Sequence, residues 1–500
     1  MKLFDFSKTV VNQVIAELGY AESFVRIAIF QLHNRGVFAA LNEKLGQGVR
    51  VEIFTLPYDS INPEIRDEVT AQFQFLEKNG AKLYFCKWNV GDPERTSTAV
   101  GRWYSFHGKF IVTDKSAIAL SANFTQSPEI DGLLIYRDEP EKINEFNEKF
   151  DELMELFIKN DDGYDGSIRQ KVISTGLPNV TSVFTLPRSI ETGTHREHWI
   201  AHYPASLCPV RVPIEDRLYV TPFDCRGRDF VMAIISAASE FAYVSTESFT
   251  DPDFPTFLTK RKLQGLDVRI LSGATSMDFS NRMQDMLREL IAQDIQIRTT
   301  DEDLHAKLII TDKHFVISSV NLNRMNLGFK RTANYWRENT ETITVCTDAA
   351  ILSQSKVQFL DIFDRSINIE TKLTEKVEKL VGAMLSSMFG LRSDQEVKQL
   401  FAHVIVKKEI ETKKVMVRIG KIISRLMDRL NKKTVGKREF FLALVLYYLT
   451  ERKHAFNELG EKLNILDPTV DVSDLVNWLI SSQFIEKEDD EYKIKIEALL

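Results

Sequence analysis

His107-Gly-Lys109-Phe-Ile-Val-Thr-Asp114-Lys115 is a stretch that the chain repeats as His305-Ala-Lys307-Leu-Ile-Ile-Thr-Asp312-Lys313. In each copy a histidine and a lysine begin a β-branched run with one residue between them, so on a strand both side chains leave the same face. A Ser-x-Asn follows at the same offset in both copies, as Ser121-Ala-Asn123 and Ser319-Val-Asn321. A single histidine on a strand is more often a hydrogen-bonded structural residue, but repetition at identical offsets indicates a duplicated active site.

The paired stretches resemble the HxKxxxxD motifs of the phospholipase D superfamily. The resemblance covers about the first 365 residues and implies an α/β fold of two tandem repeats with one shared active site. It also implies a phosphodiesterase or phosphatidyltransferase that needs no metal ion, and we expect no other cofactor. It leaves the C-terminal quarter of the chain unexplained.

The composition is that of a large folded protein. A chain of 500 residues with 44% hydrophobic content can bury more than one core. The net charge of −7 argues against a basic surface throughout but is compatible with local basic patches. Cys86, Cys208, Cys225 and Cys346 are widely scattered, which favours buried thiols over disulfides. The start of the chain lacks a signal-peptide core and no apolar run reaches about 18 residues, so we expect a cytoplasmic protein.

Hydrophobic periodicity predicts alternating strands and helices in both repeats. The first repeat includes the strand Val49–Leu56 and a helix from Pro63 to about Lys78, and the second includes the strand Phe241–Thr246 and a helix over Met277–Gln293. Such alternation favours a largely parallel sheet covered on both faces. We divide the chain into a first repeat (1–160), a linker (161–213), a second repeat (214–366) and a mainly helical C-terminal domain (370–500).

The chemistry of a phosphodiester suggests a role for each motif residue. Its anionic oxygens resist attack, so a site must neutralise them while it supplies a nucleophile and a proton for the leaving oxygen. The lysines offer charge, and the asparagines and serines offer neutral donors; these residues are Lys109, Lys307, Asn123, Asn321, Ser121 and Ser319. The resemblance implies His107 as a nucleophile that forms a phosphohistidine and His305 as the general acid, while the near-symmetry of the motifs leaves the reverse open.

A catalytic histidine needs a carboxylate to fix its tautomer, and the family usually provides one in an Asn-x-Glu stretch after the Ser-x-Asn. The second repeat has this stretch as Asn339-Thr-Glu341, whereas the first reads Glu129-Ile-Asp131. We therefore expect His305 to have the more complete support, and His107 to depend on the shorter Asp131. Asp114 and Asp312 are expected to brace turns and backbone instead of touching substrate.

Two segments beside the motifs bear on the substrate. Lys87–Ser105 precedes the first motif and Asn323–Glu338 follows the second, and long loops beside a site usually bind or gate. The second segment interleaves cations with aromatic residues, which can hold phosphates and stack bases. Its candidate nucleic-acid-binding residues are Arg324, Lys330, Arg331, Trp336 and Arg337. The alternative is that the aromatic residues simply pin the segment to the core.

The predicted linker contains His195, His198, His202 and Cys208, which could be read as metal ligands. Nothing repeats or completes this set. A surface loop or a domain-packing segment is therefore favoured, and no metal site is expected.

Positive charge gathers in the C-terminal domain, although the protein as a whole is acidic. Within Lys407–Arg438 a predicted helix carries an apolar stripe beside a basic one, Arg418, Lys421, Arg425 and Arg429. Such a helix could contact DNA, lie on an anionic membrane, or be a solvated face.

The end of the chain resembles a winged helix. Its elements are predicted helices at Lys437–Thr450, Phe456–Leu463 and Val472–Gln483 and a hairpin around Asp489-Asp490. The hairpin is acidic and would repel phosphate. We therefore place DNA contact on the basic helix and a protein partner at the hairpin.

Two enzyme classes are compatible with the sequence. A metal-independent DNA nuclease is favoured by the basic helix, the aromatic and basic segment, and the lack of a membrane anchor. The alternative is a cytosolic phospholipase D or phosphatidyltransferase that acts on lipid phosphodiesters. A nuclease of this kind would suit antiviral genome defence or DNA repair, by analogy alone. The sequence leaves open DNA versus RNA, strand preference, endonuclease versus exonuclease action, and oligomeric state.

Overall fold

The structure of the protein is a computed structural model. It describes residues 1–58, 61–86, 106–157, 214–221, 224–225, 227–247, 251, 253–273, 287, 290–300, 302–327, 329–332, 335–337, 339–369, 371, 419–420, 422–423, 426, 437–451, 454–455, 463, 471–488 and 491–494. The chain divides into two compact units, Met1–Asn368 and Ile369–Leu500. The first unit contains both motifs.

The first repeat is a sheet covered by helices. Its strands are β1 (Lys2–Ser7), β2 (Phe24–Ile29), β3 (Arg50–Thr55), β4 (Lys82–Phe85), β5 (Lys109–Thr113), β6 (Ser116–Leu120) and β7 (Asp131–Arg137). They form one seven-stranded sheet in the order β1-β7-β6-β5-β2-β3-β4. Its helices are α1 (Val10–Tyr20), α2 (Arg35–Gly46), α3 (Arg66–Lys78) and α4 (Pro140–Phe157). Every residue of β5 and β6 is buried, which explains why the motif reads as a continuous β-branched run.

The second repeat has the same plan. Its strands are β8 (Leu218–Thr221), β9 (Phe241–Thr246), β10 (Asp267–Ser272), β11 (Gln296–Thr299), β12 (Leu308–Thr311), β13 (Phe315–Ser318), β14 (Phe329–Thr332), β15 (Tyr335–Arg337), β16 (Glu341–Cys346) and β17 (Ile367–Asn368). Its helices are α5 (Gly227–Ala237), α6 (Asp253–Leu263), α7 (Arg324–Leu327) and α8 (Ala349–Arg365). Eight strands form a sheet in the order β17-β11-β10-β9-β12-β13-β16-β8, and β14 pairs with β15 in a separate ribbon. When the order of the large sheet is read from β8 to β11, each strand corresponds to the strand at the same place in the first sheet, read from β1 to β4. β17 is an additional strand at the far edge.

Both sheets are mixed, so the expectation of a largely parallel sheet is wrong. β2, β3 and β4 pair in parallel, as do β9, β10 and β11. The other neighbouring strands described in these sheets are antiparallel. Within each motif a short turn joins the strands, Asp114-Lys115 in the first and Asp312-Lys313-His314 in the second, and so short a turn permits antiparallel pairing alone.

Local signals place most of the predicted helices and strands. The predicted helix start at Pro63 is early, since α3 begins at Arg66 and Pro63 lies in the preceding turn. Of the predicted helix over Met277–Gln293, residues 277–286 and 288–289 lie outside the described residues. α2 begins after Asn34, whose side chain accepts hydrogen bonds from the N–H groups of Gly36 and Val37.

The two repeats pack into one core. Phe110 and Leu134 of the first repeat belong to the same buried cluster as Leu308 and Ile317 of the second. At Gly132 the sheets approach so closely that a Cβ atom would lie 2.7 Å from Leu308 Cδ2. The duplicated halves therefore fold as a single body, not as two separate domains.

Each repeat also covers the edge strand of the other. α8, the last helix of the second repeat, packs on β1, where the Gln354 side-chain N–H donates to Phe4 O at 3.1 Å. In the reciprocal contact α4 reaches β8, and the Leu218 N–H donates to the Glu145 carboxylate. β1 and β8 are short edge strands that the sequence analysis did not predict, and these contacts shield them from open pairing.

The second unit is mainly helical where it is described. It contains α9 (Lys437–Glu451) and α10 (Val472–Ser481), with a three-stranded sheet of β18 (His454–Ala455), β20 (Glu491–Ile494) and β19 (Ile485–Glu488) in that order. The predicted hairpin around Asp489-Asp490 is confirmed, because β19 and β20 pair antiparallel on either side of it. Ile419, Ile422, Ile423 and Leu426 of the predicted apolar stripe are buried. Residues 456–462 and the basic side chains Arg418, Lys421, Arg425 and Arg429 lie outside the described residues.

Two composition-based expectations can be compared with the structure. Cys86, Cys225 and Cys346 are buried, as predicted, whereas Cys208 lies outside the described residues. No helix in the described part of the chain is long and apolar enough to cross a membrane.

Candidate active site

The two motifs meet where the sheets of the two repeats face each other. The His107 N–H donates to Thr340 O at 2.7 Å, and the His305 N–H donates to Ile130 O at 3.0 Å. Each acceptor belongs to the opposite repeat and directly precedes a carboxylate, Glu341 in one case and Asp131 in the other. These two backbone hydrogen bonds fix each histidine beside the carboxylate of the other repeat.

The repeats therefore exchange their carboxylates. His107 Nδ1 lies 2.8 Å from Glu341 Oε2, and His305 Nδ1 lies 3.1 Å from Asp131 Oδ1. The expectation that Glu341 supports His305 and Asp131 supports His107 is thus wrong. The physical reason is that β16 contacts β5, and β7 contacts β13, across the interface between the sheets. With Nδ1 held by a carboxylate, the Nε2 atom of each ring is left for chemistry.

The motif serines hold the carboxylates. The Ser121 hydroxyl donates to Asp131 Oδ1 at 2.8 Å, and the Ser319 hydroxyl donates to Glu341 Oε2. Each hydroxyl also accepts a hydrogen bond from the backbone N–H of the residue after the carboxylate, at 2.9 Å in both repeats. A hydroxyl has a single proton to donate. The serines therefore position the carboxylates, and the prediction that they donate to a phosphoryl oxygen is wrong for this arrangement.

Glu341 also accepts a hydrogen bond from a residue outside the motif. The Asn326 side chain in α7 donates to Glu341 Oε1, a contact that the sequence analysis missed because Asn326 lies outside the motif. Asn339, which was predicted to belong to this support, is buried, and its backbone carbonyl accepts from the Thr221 hydroxyl at 3.4 Å.

Both motif lysines are buried, each with 1% of its surface exposed. Lys109 Nζ donates to His107 O at 2.9 Å and lies 3.4 Å from His107 Nε2. Lys307 Nζ donates to His305 O and pairs with the Glu247 carboxylate at 3.1 Å. Burial, reinforced by the charge of Lys307, lowers the pKa of Lys109 to about 7. Near neutral pH Lys109 is therefore poised to gain a proton when an anion approaches.

The motif asparagines lie among the same groups. Asn123 Nδ2 is 3.4 Å from His305 Nε2, and Asn321 Nδ2 donates to Glu247 Oε2 at 3.3 Å. Their Oδ1 atoms are buried and accept no hydrogen bond from the described residues. The structure thus brings both histidines, both lysines and both asparagines to one site, as the shared-site prediction requires.

Glu247 is a site residue that the sequence analysis missed. It follows β9 directly, and its Oε2 atom lies 3.4 Å from His305 Nε2 in addition to its contacts with Lys307 and Asn321. β2 and β9 pair with the motif strands in the same register, so the equivalent residue of the first repeat is Phe30. The Phe30 ring packs edge-on against His107, with ring centroids 4.5 Å apart. An alignment of the sequence of β2 with that of β9 would have set Phe30 against Glu247 and so shown that the two repeats differ in charge at this position.

Burial governs the charge of the imidazoles. It lowers the pKa of His107 and, together with Lys307, lowers the pKa of His305 well below its usual range. Burial also raises the pKa of Asp131 to about 7 and that of Glu129 to about 7. Near neutral pH both imidazoles are therefore neutral on their own, and an approaching anion would favour proton uptake.

Asp114 and Asp312 brace the backbone, as predicted. Asp114 Oδ1 accepts hydrogen bonds from the N–H groups of Glu22 and Ser23, at 3.0 and 3.2 Å. Asp312 Oδ1 accepts the equivalent pair from Ser239 and Glu240. Both carboxylates anchor the turn that leads into the strand beside the motif, so they fix the motif strand without contacting the histidines.

The ribbon of β14 and β15 is attached to the site at both ends. It follows Asn321 through α7 and returns to Glu341, and its pairing sets Lys330 opposite Trp336 and Phe329 opposite Arg337. The side chains of Arg324, Lys330, Arg331, Trp336 and Arg337 lie outside the described part of the chain, as does Lys87–Ser105. The predicted nucleic-acid-binding segment is thus tethered to site residues, and its contacts stay a prediction.

One group of described residues could hold a metal ion. Glu129, Asp131 and His305 bring one ligand atom each within 4.8 Å of one another. Asp131 and His305 already hydrogen-bond each other, so an ion there would compete with the bond that orients His305. The four residues discussed as ligands in the linker, His195, His198, His202 and Cys208, lie outside the described residues.

Comparisons with known proteins identify similar folds. A family model described as cardiolipin synthase, PLD-like domain, matches residues 14–154 and 231–363. A comparison with curated proteins found no match. Among solved structures, polyphosphate kinase from Porphyromonas gingivalis is 10% identical, with 73% of this chain and 50% of that chain covered and a TM-score of 0.40. The present chain thus spans half the length of that kinase.

Two further solved structures are similar. Phosphatidylserine synthase from Haemophilus influenzae Rd KW20 is 13% identical, with 73% of this chain and 86% of that chain covered and a TM-score of 0.46. The phospholipase D family member Nuc from Salmonella typhimurium is 18% identical, with 30% and 95% covered and a TM-score of 0.26.

Proposed function

Because the chain belongs to the phospholipase D superfamily, we propose that its paired histidines cleave a phosphodiester through a covalent phosphohistidine, and that the substrate is DNA. The observation that carries the chemistry is the reciprocal bracing of the two imidazoles. Each Nδ1 contacts a carboxylate, and each Nε2 lies beside a motif lysine or asparagine. This arrangement supplies a nucleophile, an acid and charge stabilisation without requiring a metal ion.

In the first step, the lone pair of His107 Nε2 attacks phosphorus and forms an N–P bond. The bond between phosphorus and the leaving oxygen breaks, and His305 Nε2 donates a proton to that oxygen. Glu341 stabilises the positive charge that develops on His107, as its 2.8 Å contact with Nδ1 allows. Lys109 and Lys307 offset the negative charge on the phosphoryl oxygens, and Asn123 donates a hydrogen bond to them.

In the second step, His305 Nε2 accepts a proton from water. The water oxygen attacks phosphorus, the N–P bond breaks, and its electron pair returns to His107. The products are an alcohol and a phosphomonoester. Assigning the nucleophile to His107 is supported by Lys109 at 3.4 Å from its Nε2, because an ammonium group disfavours protonation there. Burial and Lys307 lower the pKa of His305, and Glu247 at 3.4 Å from His305 Nε2 opposes that effect and so supports its role as the acid.

The choice of DNA rests on the ribbon of β14 and β15. A two-stranded ribbon that carries both cations and aromatic residues suits a polymer of phosphates and bases better than a lipid headgroup. Its attachment at Asn321 and Glu341 would place such contacts beside the scissile bond. The basic segment Lys407–Arg438 adds a second predicted DNA contact, and the acidic hairpin a predicted protein contact. A cytoplasmic role in genome defence or repair follows as a prediction from this choice.

The second candidate is a phospholipase or phosphatidyltransferase. It is favoured by the description of the matching family, cardiolipin synthase. The same histidines would act, with a lipid alcohol in place of water in the second step if the enzyme is a transferase.

An assay in EDTA separates the two candidates. We expect the purified protein to cleave labelled single- or double-stranded DNA and to leave phosphatidylcholine and phosphatidylglycerol vesicles intact. A His107→Asn protein prepared in parallel controls for contaminating nucleases. Lipid turnover without strand cleavage would overturn the choice of DNA, and cleavage that EDTA abolishes would overturn the metal-independent mechanism.

The pKa of Lys109 predicts a pH dependence. An amine is charged below its pKa, so Lys109 loses its charge as the pH rises through about 7. We expect kcat/KM to fall about tenfold more steeply per pH unit above 7 than below it, because kcat/KM reports the free enzyme and the loss of charge on Lys109 adds to the titration of His305. Lys109→Arg should flatten this fall, since a guanidinium stays charged. Lys115→Arg, which alters a surface lysine of the same motif, serves as the matched control. An unchanged alkaline limb in Lys109→Arg would show that another group controls it.

A further inference from the structure

One carboxylate lies among the groups that would hold the substrate. Glu247 Oε2 is 3.1 Å from Lys307 Nζ, 3.3 Å from Asn321 Nδ2 and 3.4 Å from His305 Nε2. These three atoms are a cation, an amide donor and a ring nitrogen, the set that a phosphoryl oxygen would be expected to contact. In the second half of the site these three groups thus already contact a negative charge of the protein itself.

The first half differs at the same position. Phe30, the register equivalent of Glu247, sets its ring against His107, and Lys109 Nζ lies 5.4 Å from the ring centroid. A ring brings no full charge, so the ammonium of Lys109 is left for an anion that arrives from outside. The two halves are therefore alike in their motifs and unlike in charge.

We propose that Glu247 is a specificity-determining residue that admits singly charged phosphodiesters and rejects doubly charged phosphomonoesters. This inference rests on the proposed phosphodiesterase function. A phosphodiester brings one negative charge, which Lys109 can balance. A phosphomonoester is largely dianionic above its second pKa of about 6, so its additional charge would face Glu247 in a buried site where like charges repel strongly.

Glu247 stays ionised wherever the enzyme would work. Although burial alone would raise its pKa, Lys307 and His305 lower the pKa of Glu247 to about 2. The repulsion is therefore present throughout the neutral range. It also bears on turnover, because hydrolysis converts a monoanionic substrate into a product that becomes dianionic, which Glu247 would help to expel.

Titration of the full-length protein with inorganic phosphate tests the proposal directly. Calorimetry at pH 8 and low salt would compare the unaltered protein with Glu247→Gln, which keeps the shape and removes the charge. We expect phosphate to bind Glu247→Gln at least about tenfold more tightly. Glu247→Asp, which keeps the charge, should bind phosphate as weakly as the unaltered protein. Glu302→Gln removes an exposed carboxylate that pairs with Lys8, and serves as the control for net charge.

The same variants can be examined during turnover. We expect phosphate to inhibit diester cleavage by Glu247→Gln at concentrations at least about tenfold lower than for the unaltered protein. If Glu247→Gln binds phosphate no more tightly than the unaltered protein, or if Glu302→Gln shows the same gain, the proposal is wrong. Phosphate binding is measured without turnover, so the two proposals can fail separately. A protein that cleaves neither DNA nor lipid would refute the proposed function, whereas the role of Glu247 is decided by the phosphate titration. If Glu247→Gln is unstable, Glu247→Ala replaces it as the variant without the charge. Its affinity for phosphate is then compared with that of Glu247→Asp, which keeps the charge.

Discussion

A protein carrying His107→Asn is expected to cleave phosphodiesters at least about 10⁴-fold more slowly than the unaltered protein. An amide nitrogen has no lone pair available to attack phosphorus, so no N–P bond can form. The measurement is kcat with a nucleoside 4-nitrophenyl phosphodiester, together with trapping of the labelled phosphoenzyme by rapid denaturation. We expect no phosphoenzyme from this variant at any time point.

His305→Asn is expected to fail at a different step. Nitrophenolate needs no proton to leave, so His107 can still attack this substrate, but no base remains to activate water. The variant should release one equivalent of nitrophenolate per site and accumulate the phosphohistidine. His314→Asn, on the same hairpin but outside the site, is the matched control. Accumulation in His107→Asn instead of His305→Asn would reverse the assigned roles, and near-normal turnover in either variant would refute the shared-site mechanism.

Glu341→Gln is expected to lower kcat by about 10³-fold through His107, the histidine of the opposite repeat. The amide can no longer stabilise positive charge on the ring or hold one tautomer. Burial lowers the pKa of His107 and Glu341 opposes that effect, so removal of the charge should lower the pKa of His107 further. The titration of each imidazole, followed by nuclear magnetic resonance, gives the direct test.

The pairing across repeats is what this experiment decides. We expect Glu341→Gln to shift the titration of His107 and to leave that of His305 nearly unchanged, and Asp131→Asn to do the reverse. Glu240→Gln, an exposed position, controls for the loss of one charge. A larger shift at His305 than at His107 in Glu341→Gln would show that each carboxylate serves its own repeat.

The strands around the motifs could be predicted from the sequence because buried strands are rich in apolar and β-branched residues. β5 and β12 read as β-branched runs, and the same run occurs at the same offset in both repeats. The direction of pairing could not be predicted in this way. A strand buried on both faces has the same composition whether its neighbour is parallel or antiparallel, so alternation of strands and helices suggested too many parallel pairs.

Most of the site residues could also be predicted from the sequence, but their hydrogen-bond partners could not. Spacing along one strand predicts that His107 and Lys109 share a face, because that geometry is local. Which carboxylate meets His107 depends on how two sheets pack, and no local spacing encodes it. Glu247 was missed for a related reason: it belongs to the site through the register of β9 with β12, not through the motif.

The exchange of carboxylates has an evolutionary consequence. A substitution at Asp131 is felt by His305, and one at Glu341 is felt by His107, so neither copy of this duplication can decay or specialise alone at these positions. Selection acts on the two copies as one heritable unit. Freedom to diverge is left to residues that each copy keeps for itself, and Phe30 and Glu247 are such a pair. An ancestor with two identical halves could have acquired a preferred direction for its substrate by a change at that single position.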